Sequence, residues 1–316
     1  MVEFRKYDYF FTVFIPAFNR RKTLPRLLES IENQTFRDFE VIIIDDGSTD
    51  RTDSYIREYM KQSDLKITYK WQKNSGKPTA RNNAVNLSKG FMFKTVDSDD
   101  VLDYQCLQSM FEAWNSLPDN EKNRFAGIIA LCADITTHNL IGNSFPKDLF
   151  ESNQFLNNAI YGIKGDKTQC IKTEIMKSNP FPVIGTNKFV PESIVWNRIG
   201  LDYSFLCINR VLAYKEYLKD GLTKNITFLK LKNKESLLQY YYELNFKIIS
   251  SYKNVPLKFK IRSMANYIRF LKHNKKEAHL HFLKTENSYL LYLISLPLGT
   301  ILYLKDINTM RQKNEK

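Results

Sequence analysis

The chain has 316 residues, 43% hydrophobic and 26% charged, which is enough apolar material for a large folded domain and excludes a disordered chain. Its four cysteines, Cys106, Cys132, Cys170 and Cys207, form no C-x-x-C pair and have no histidine at zinc-ligand spacing; with no secretory leader either, free thiols in a reducing cytoplasm are expected rather than a disulfide framework or a zinc site. The net charge of +13 is lopsided, since residues 211–316 hold 20 Lys and Arg against 8 Asp and Glu, or +12, leaving +1 for residues 1–210. That points to an anionic surface as partner of the C-terminal third, and the absence of a recognisable motif there argues against nucleic acid.

In chain order, Phe10–Ile15 is an apolar run of strand length that stops at Pro16. Leu24, Leu27, Leu28 and Ile31 then fall at helical spacing, with Thr23 and Pro25 suited to start that helix. Phe39–Ile44 reads as a second strand ending in Asp45, followed by a helix over 50–60, a strand over 67–71, a helix over 78–87 and a strand over 91–96 that runs into Asp97. Repeated strand–helix–strand units with short connections predict an α/β fold with a mostly parallel, Rossmann-like sheet and flanking helices, whose ligands sit beyond the carboxyl ends of the strands. The polar segments Asp45-Asp46-Gly47-Ser48, 74–82 and Asp97-Ser98-Asp99-Asp100 all lie at or near such ends.

These segments carry the chemistry. Asp97 and Asp99 offer hard oxygen ligands able to hold Mg²⁺ or Mn²⁺ together with phosphate oxygens, although an acidic surface turn has the same spelling. Asp45 or Asp46 can accept hydrogen bonds from a uracil N3–H or from ribose hydroxyls, or can simply build an Asx or helix-capping turn with Ser48 or Asp50. Pro16, Ala17 and Asn19 follow the first strand and would wall the same nucleotide pocket. In the run from Asn74 through Gly76 and Lys77 to Arg81 and Asn82, glycine allows close backbone approach and a helix start presents amide hydrogens to anionic phosphates. A P-loop is excluded, because no glycine stands five positions before the Gly76-Lys77 pair and no strand leads straight into it.

The ordered set VFIPAFN (13–19), IIIDDGSTD (42–50), NSGKPTARN (74–82) and VDSDD (96–100) resembles the family 2 glycosyltransferases of the GT-A fold, over residues 8 to about 105. The resemblance implies a catalytic domain over 1–210, with a nucleotide-sugar half to about 105 and an acceptor half over 106–210. It implies a nucleotide-sugar donor, usually a uridine one, with Asp45 or Asp46 at the base, Arg81 or Asn82 lining the donor pocket, Ser98 beside it, and Asp97 and Asp99 around a divalent metal. The family also expects a carboxylate general base, commonly in a Glu-Asp pair. Glu192 is the match here, with Ser193 where the partner aspartate often stands; the alternative for Glu192 is a helix cap after Pro191. The pattern from Gly165-Asp166-Lys167 to Glu192 and Trp196-Asn197-Arg198-Ile199 is similar to a subgroup acting in bacterial surface polysaccharide assembly, such as capsule, O-antigen or exopolysaccharide. There Glu192 would deprotonate an acceptor hydroxyl as it attacks opposite the leaving diphosphate, inverting the anomeric centre, and Asp166 would contact donor or acceptor sugar, or merely open a turn.

Residues 211–316 read as basic amphipathic helices, for example over 237–252 and 256–271, with an apolar segment at Tyr289–Leu304. That segment is sixteen residues long and is expected to be broken by Pro297 and Gly299, so it falls short of the ~20 residues of a spanning helix and is expected to lie in a membrane surface, or else to pack internally or against a second copy of the chain. The expectation is therefore a peripheral enzyme on the inner face of the cytoplasmic membrane, acting on a lipid-linked or oligosaccharide acceptor. His279 and His281 have no carboxylate at metal spacing and are expected to be solvated or membrane-facing, and Tyr240, Tyr241 and Tyr242 to pack. Two rivals are a sugar nucleotidyltransferase, which would carry a glycine-rich signature near its N-terminus where this chain has Pro16 to Asn19, and an inactive sugar-nucleotide-binding module, which would have lost a metal carboxylate or the base.

Overall fold

The computed structural model describes residues 6–216, 226–275 and 286–314. Its first half follows the sequence pattern closely: β1 (Tyr9–Ala17), α1 (Leu24–Glu32), β2 (Phe39–Asp45), α2 (Thr52–Gln62), β3 (Ile67–Trp71), α3 (Lys77–Leu87) and β4 (Gly90–Thr95). The strands pair in parallel in the order β3-β2-β1-β4. β2 is buried along its whole length, as expected of a strand with helices on both faces. The register aligns Ala17 with Asp45, Asp45 with Trp71, and Phe14 with Thr95, so all four strands end on one edge.

The second half adds β5 (Val101–Leu102), α4 (Cys106–Asn115), β6 (Phe125–Asp134), β7 (Phe150–Ser152), α5 (Gln154–Ala159), β8 (Lys167–Lys172), α6 (Thr173–Ser178), α7 (Ser193–Asp202) and β9 (Ser204–Lys215). β8 inserts antiparallel between β4 and β6, and β9 runs parallel to β6, so the completed sheet is mixed, whereas the four strands of the first half pair only in parallel with one another. Register shifts between Ala130 and Cys132 leave extra residues on β9, and such bulges bend and twist a strand. The bent end of β9 pairs Tyr214 with Val101, which brings Lys215 beside the loop that follows β4. The division expected at 210/211 thus falls inside a strand that continues to Lys215.

One apolar layer packs α1, α2 and α4 against the sheet through Leu27, Ile56 and Met110; the other packs α3, α6 and α7 through Ala84, Ile175 and Val195. The four cysteines are buried and free, and burial pushes each thiol above its ordinary value.

Beyond β9 the described elements are helical: α8 (Ile226–Lys232), α9 (Lys234–Glu243), α10 (Leu257–His273) and α11 (Glu286–Asn314). α9 runs on into a π turn over Leu244–Ile248. Arg198 binds Glu243 through two 2.7 Å hydrogen bonds, and Tyr252 donates to the Gly200 carbonyl at 2.5 Å, so these helices dock on α7. Tyr241 stacks on Phe270 and Tyr242 leans on Tyr267, in packing roles. His279 and His281 lie outside the described residues.

The expected break at Pro297 and Gly299 does not occur: α11 continues through both for 29 residues. Pro297 sits on the exposed side, and at Gly299 α11 lies close against α10, since a Cβ there would stand 2.7 Å from the Ala265 carbonyl oxygen and 2.8 Å from Ile268. Gly299 serves close helix packing. Gly299→Val is accordingly expected to force the helices apart at a cost of about 1–3 kcal/mol, read as a lowered thermal midpoint with faster proteolysis within α11; an unchanged midpoint would contradict the contact.

Candidate active site

Four polar loops meet where the parallel strands end, and each is tied to its neighbour. Asn19, at φ 55°, accepts from the Thr49 amide at 2.8 Å and donates its own amide to Ser48. Asp45 is fully buried and accepts from the Ser48 amide (2.8 Å) and the Tyr69 hydroxyl (3.1 Å), which ties down the turn after β2. Asp46 accepts from Gln72 (2.7 Å) and from the amides of Ser75 (2.7 Å) and Gly76 (2.8 Å), which fixes the loop before α3. Gly76, at φ +90°, lies so near Lys188 that a Cβ would stand 2.2 Å from its carbonyl oxygen.

A chain of alternating charges crosses this edge. Arg81 donates to Glu192 Oε1 at 2.8 Å, and Lys77 Nζ reaches the same oxygen at 2.9 Å and Asp97 Oδ1 at 2.5 Å. Lys215 Nζ then lies 3.8 Å from Asp97 Oδ2 and 2.6 Å from Asp100 Oδ2. Arg81 is 2% exposed and is held under the rings of Phe181 and Trp196, at 4.6 and 5.5 Å. Burial works to raise Glu192 and Asp97, but the adjacent cations outweigh it and hold both carboxyls below their usual range. Asp99 goes the other way: burial and the charge of Asp97 raise it, with Arg20 3.9 Å away.

This chain forms the shared wall of two cavities. The larger, about 440 Å³, is lined by Pro16, Ala17, Asp46, Asn74, Gly76, Lys77, Arg81, Asp97, Ser98, Asp99, Asp166 and Glu192 among others. The smaller, about 210 Å³, shares Lys77, Arg81, Asp97, Asp166 and Glu192 and adds Gln154, Lys167, Thr168, Gln169 and Trp196. Three residues expected in the pocket do not line either: Asn19 and Asp45 bond the loops behind it, and Asn82 exchanges hydrogen bonds with the Phe181 backbone at 2.8 and 2.9 Å. Residues to which the motifs assigned no role are Arg20, Asp100, Lys215 and Gln154. Asp100 lies within the VDSDD segment, whereas Lys215 ends a strand about 115 residues further on and has no local signal.

Among the described residues no group of three or more His, Cys, Asp or Glu is placed to hold a metal ion. Asp97 and Asp99 nevertheless both face the larger cavity, and their hard oxygens suit a divalent cation whose remaining ligands are water or phosphate oxygens. Burial first, and the charge of Asp97 second, raise the Asp99 carboxyl, and a cation bound there would favour its ionised form.

Residues 12–122 match the glycosyl transferase family 2 model, so the chain carries a domain of that family. Its relatives include chondroitin synthase of Escherichia coli, 42% identical over 29% of this chain and 13% of that protein. A Campylobacter jejuni GalNAc(5)-diNAcBac-PP-undecaprenol beta-1,3-glucosyltransferase is 24% identical over 67% of this chain and 66% of that protein. Each of these alignments spans less than two thirds of the relative's length. In structure, the chain has the GT-A fold. It resembles Staphylococcus aureus TarS 1–349 in complex with UDP-GlcNAc, with a TM-score of 0.54 and 16% identity over 96% of this chain and 92% of that one. It also resembles a Pyrobaculum calidifontis mannosyltransferase in complex with GDP-Man and Mn²⁺, with a TM-score of 0.55 and 17% identity over 95% and 88%.

The depressed Glu192 pKa has a signed consequence for stability. A carboxyl held low in the folded chain contributes stability that is fully present above its unfolded value, near 4.3, and is lost as pH falls through the folded value. Glu192→Gln should therefore lower the thermal midpoint at neutral pH, and the gap from the native chain should narrow as pH drops below about 4. A gap independent of pH would refute the ion-pair description.

Proposed function

We propose that this chain is an inverting glycosyltransferase that moves a sugar from a UDP-sugar, with a divalent metal, onto a lipid-linked saccharide during bacterial surface polysaccharide assembly. The observation that carries the reading is the meeting of Asp97, Lys77 and Glu192 at the shared wall of two cavities, because transfer needs a diphosphate site and a base on opposite sides of one reacting carbon.

In this reading the nucleotide occupies the larger cavity between Pro16–Ala17, Asp46 and Asn74, and the diphosphate lies at the start of α3 beside Lys77. Asp97 and Asp99 would hold Mg²⁺ or Mn²⁺, whose positive charge would offset the negative charge of the departing diphosphate. Sugar and acceptor meet in the smaller cavity near Asp166 and Gln154. Glu192 takes the proton from the acceptor hydroxyl, the freed oxygen bonds to the anomeric carbon, and the bond to the diphosphate breaks on the opposite face, with inversion. Arg81 and Lys77 keep Glu192 ionised, and a diphosphate that draws Lys77 away strengthens Glu192 as a base when donor is present.

The names of similar proteins support the substrate classes: UDP-GlcNAc bound to TarS, GDP-Man and Mn²⁺ bound to the mannosyltransferase, and an undecaprenol-PP-linked acceptor in the Campylobacter enzyme's name. A lipid-linked acceptor would place the enzyme at the inner face of the cytoplasmic membrane.

The test is release of nucleoside diphosphate from a panel of UDP-, GDP- and dTDP-sugars with membrane extract as acceptor source, in Mn²⁺ and in EDTA. Metal-dependent release from a UDP-sugar is expected. Glu192→Gln should cut transfer by about 10²–10⁴-fold with UDP affinity nearly unchanged, while Asp99→Ala should weaken both transfer and metal-dependent UDP binding. Native-rate transfer by Glu192→Gln would remove it from the mechanism, and failure of the chain to bind any nucleotide would overturn the whole reading.

A further inference from the structure

α11 has two faces of opposite character. Its inner face turns Ser295, Gly299 and Asp306 toward α10, with exposures of 0% for Ser295 and 4% for Asp306. Its outer face is apolar over four turns and open: Leu290, Ile294, Leu298, Ile301 and Leu304 are 57, 51, 40, 61 and 53% exposed. At 1.5 Å per residue this stripe is about 21 Å long, a contiguous apolar surface of the kind that marks an interaction site. It becomes polar at Lys305, Asn308 and Arg311.

By length and composition alone α11 could cross a bilayer, since an 18-residue window within residues 288–311 has a mean hydropathy of 1.5 and is 17% buried. Its partner helix argues otherwise. Asp306 accepts two 2.6 Å hydrogen bonds from Arg269 and faces His273 Nε2 at 2.8 Å, which pins the end of α11 to the end of α10. α10 carries Lys258, Lys260, Arg262, Arg269 and Lys272 in 17 residues. A spanning α11 would either leave the Asp306 and Arg269 charges unpaired or drag these cations into hydrocarbon, both strongly unfavourable. A helix lying flat keeps the pair intact, puts the apolar stripe among acyl chains, and leaves the exposed cations of α10 near the headgroups.

We propose that the outer face of α11 beds in the plane of an anionic lipid surface, with α10 packed on its inner side and the segment not spanning the membrane. The proposal extends the reading of a lipid-linked acceptor, but its test involves no sugar transfer, so the two can fail separately.

The full chain is mixed with zwitterionic vesicles and with vesicles containing anionic lipid, at low and high salt, and bound protein is separated by flotation. Binding is expected to anionic vesicles, weakened by salt. It should fall at least about tenfold in Leu290→Glu/Ile294→Glu/Ile301→Glu, with UDP affinity and thermal midpoint near the native values. Should that variant fold poorly, Ile294→Trp in the otherwise native chain should gain fluorescence quenched by bromine-labelled lipid. Equal flotation of the charged variant, or an unquenched Trp, overturns the proposal. Resistance of bound protein to alkaline carbonate extraction would replace it with a spanning helix. Conversion of a native dimer to a monomer by the triple substitution, with vesicle binding intact, would make the face a contact between two copies of the chain.

Discussion

The site depends on one ammonium group held between two carboxylates. Lys77 stands between Asp97, at the end of the parallel sheet, and Glu192, at the start of α7, and neither acid touches the other. Two carboxylates facing one another in a partly enclosed site would repel and rise in pKa, and the lysine prevents this by giving each a partner. Arg81 and Lys215 extend the alternation at the two ends. The arrangement is stable only while every charge keeps its neighbour, so a ligand that brings its own phosphate charges must rearrange the whole line. A binding site that answers its ligand electrostatically follows from that constraint without any moving domain.

The line of charges requires the strand register. Because Ala17, Asp45 and Trp71 are level and β4 ends beside β1, the loops after β1, β2 and β4 open on the same edge. A slip of one residue would turn the buried faces of β1 and β2 toward the wrong layer. β9 must also bend through its bulges for Lys215 to reach Asp100, which explains why a strand of the second half completes a site begun by the first.

This division also explains what was legible in the sequence. From β1 to β4 the elements follow from apolar runs punctuated by Pro16, Asp45 and Asp97, since local periodicity suffices where each strand is followed by its own covering helix. The antiparallel insertion of β8 was not legible, because it depends on pairing between segments some 75 residues apart. Within the site, motif reading found the loops but could not tell which of two adjacent side chains faces the cavity. Asp45 and Asp46 are alike in type and neighbours in sequence, yet one is spent on Ser48 and Tyr69 and the other on the loop at Gly76. Pro297 and Gly299 misled for a related reason: both are helix breakers by local propensity, yet α11 runs through both, with Gly299 in close contact with α10 and Pro297 on the exposed side.

The C-terminal helices and the site are not independent parts. The segment that carries Glu192 has little regular structure between Asn179 and Ser193 and is held from two sides. Asn82 of α3 grips the Phe181 backbone, while Asn233, just before α9, accepts from the Phe189 amide at 3.2 Å, and Glu235 accepts from Asn187 at 3.1 Å. Leu229 of α8 lines the larger cavity itself. Glu192 therefore takes its place relative to Lys77 partly through α8 and α9, and α10 packs against both α9 and α11. If the outer face of α11 rests on lipid, Glu192 and the lipid-facing helix are joined through packed helices, and an acceptor anchored in that lipid would approach Glu192 from a fixed direction.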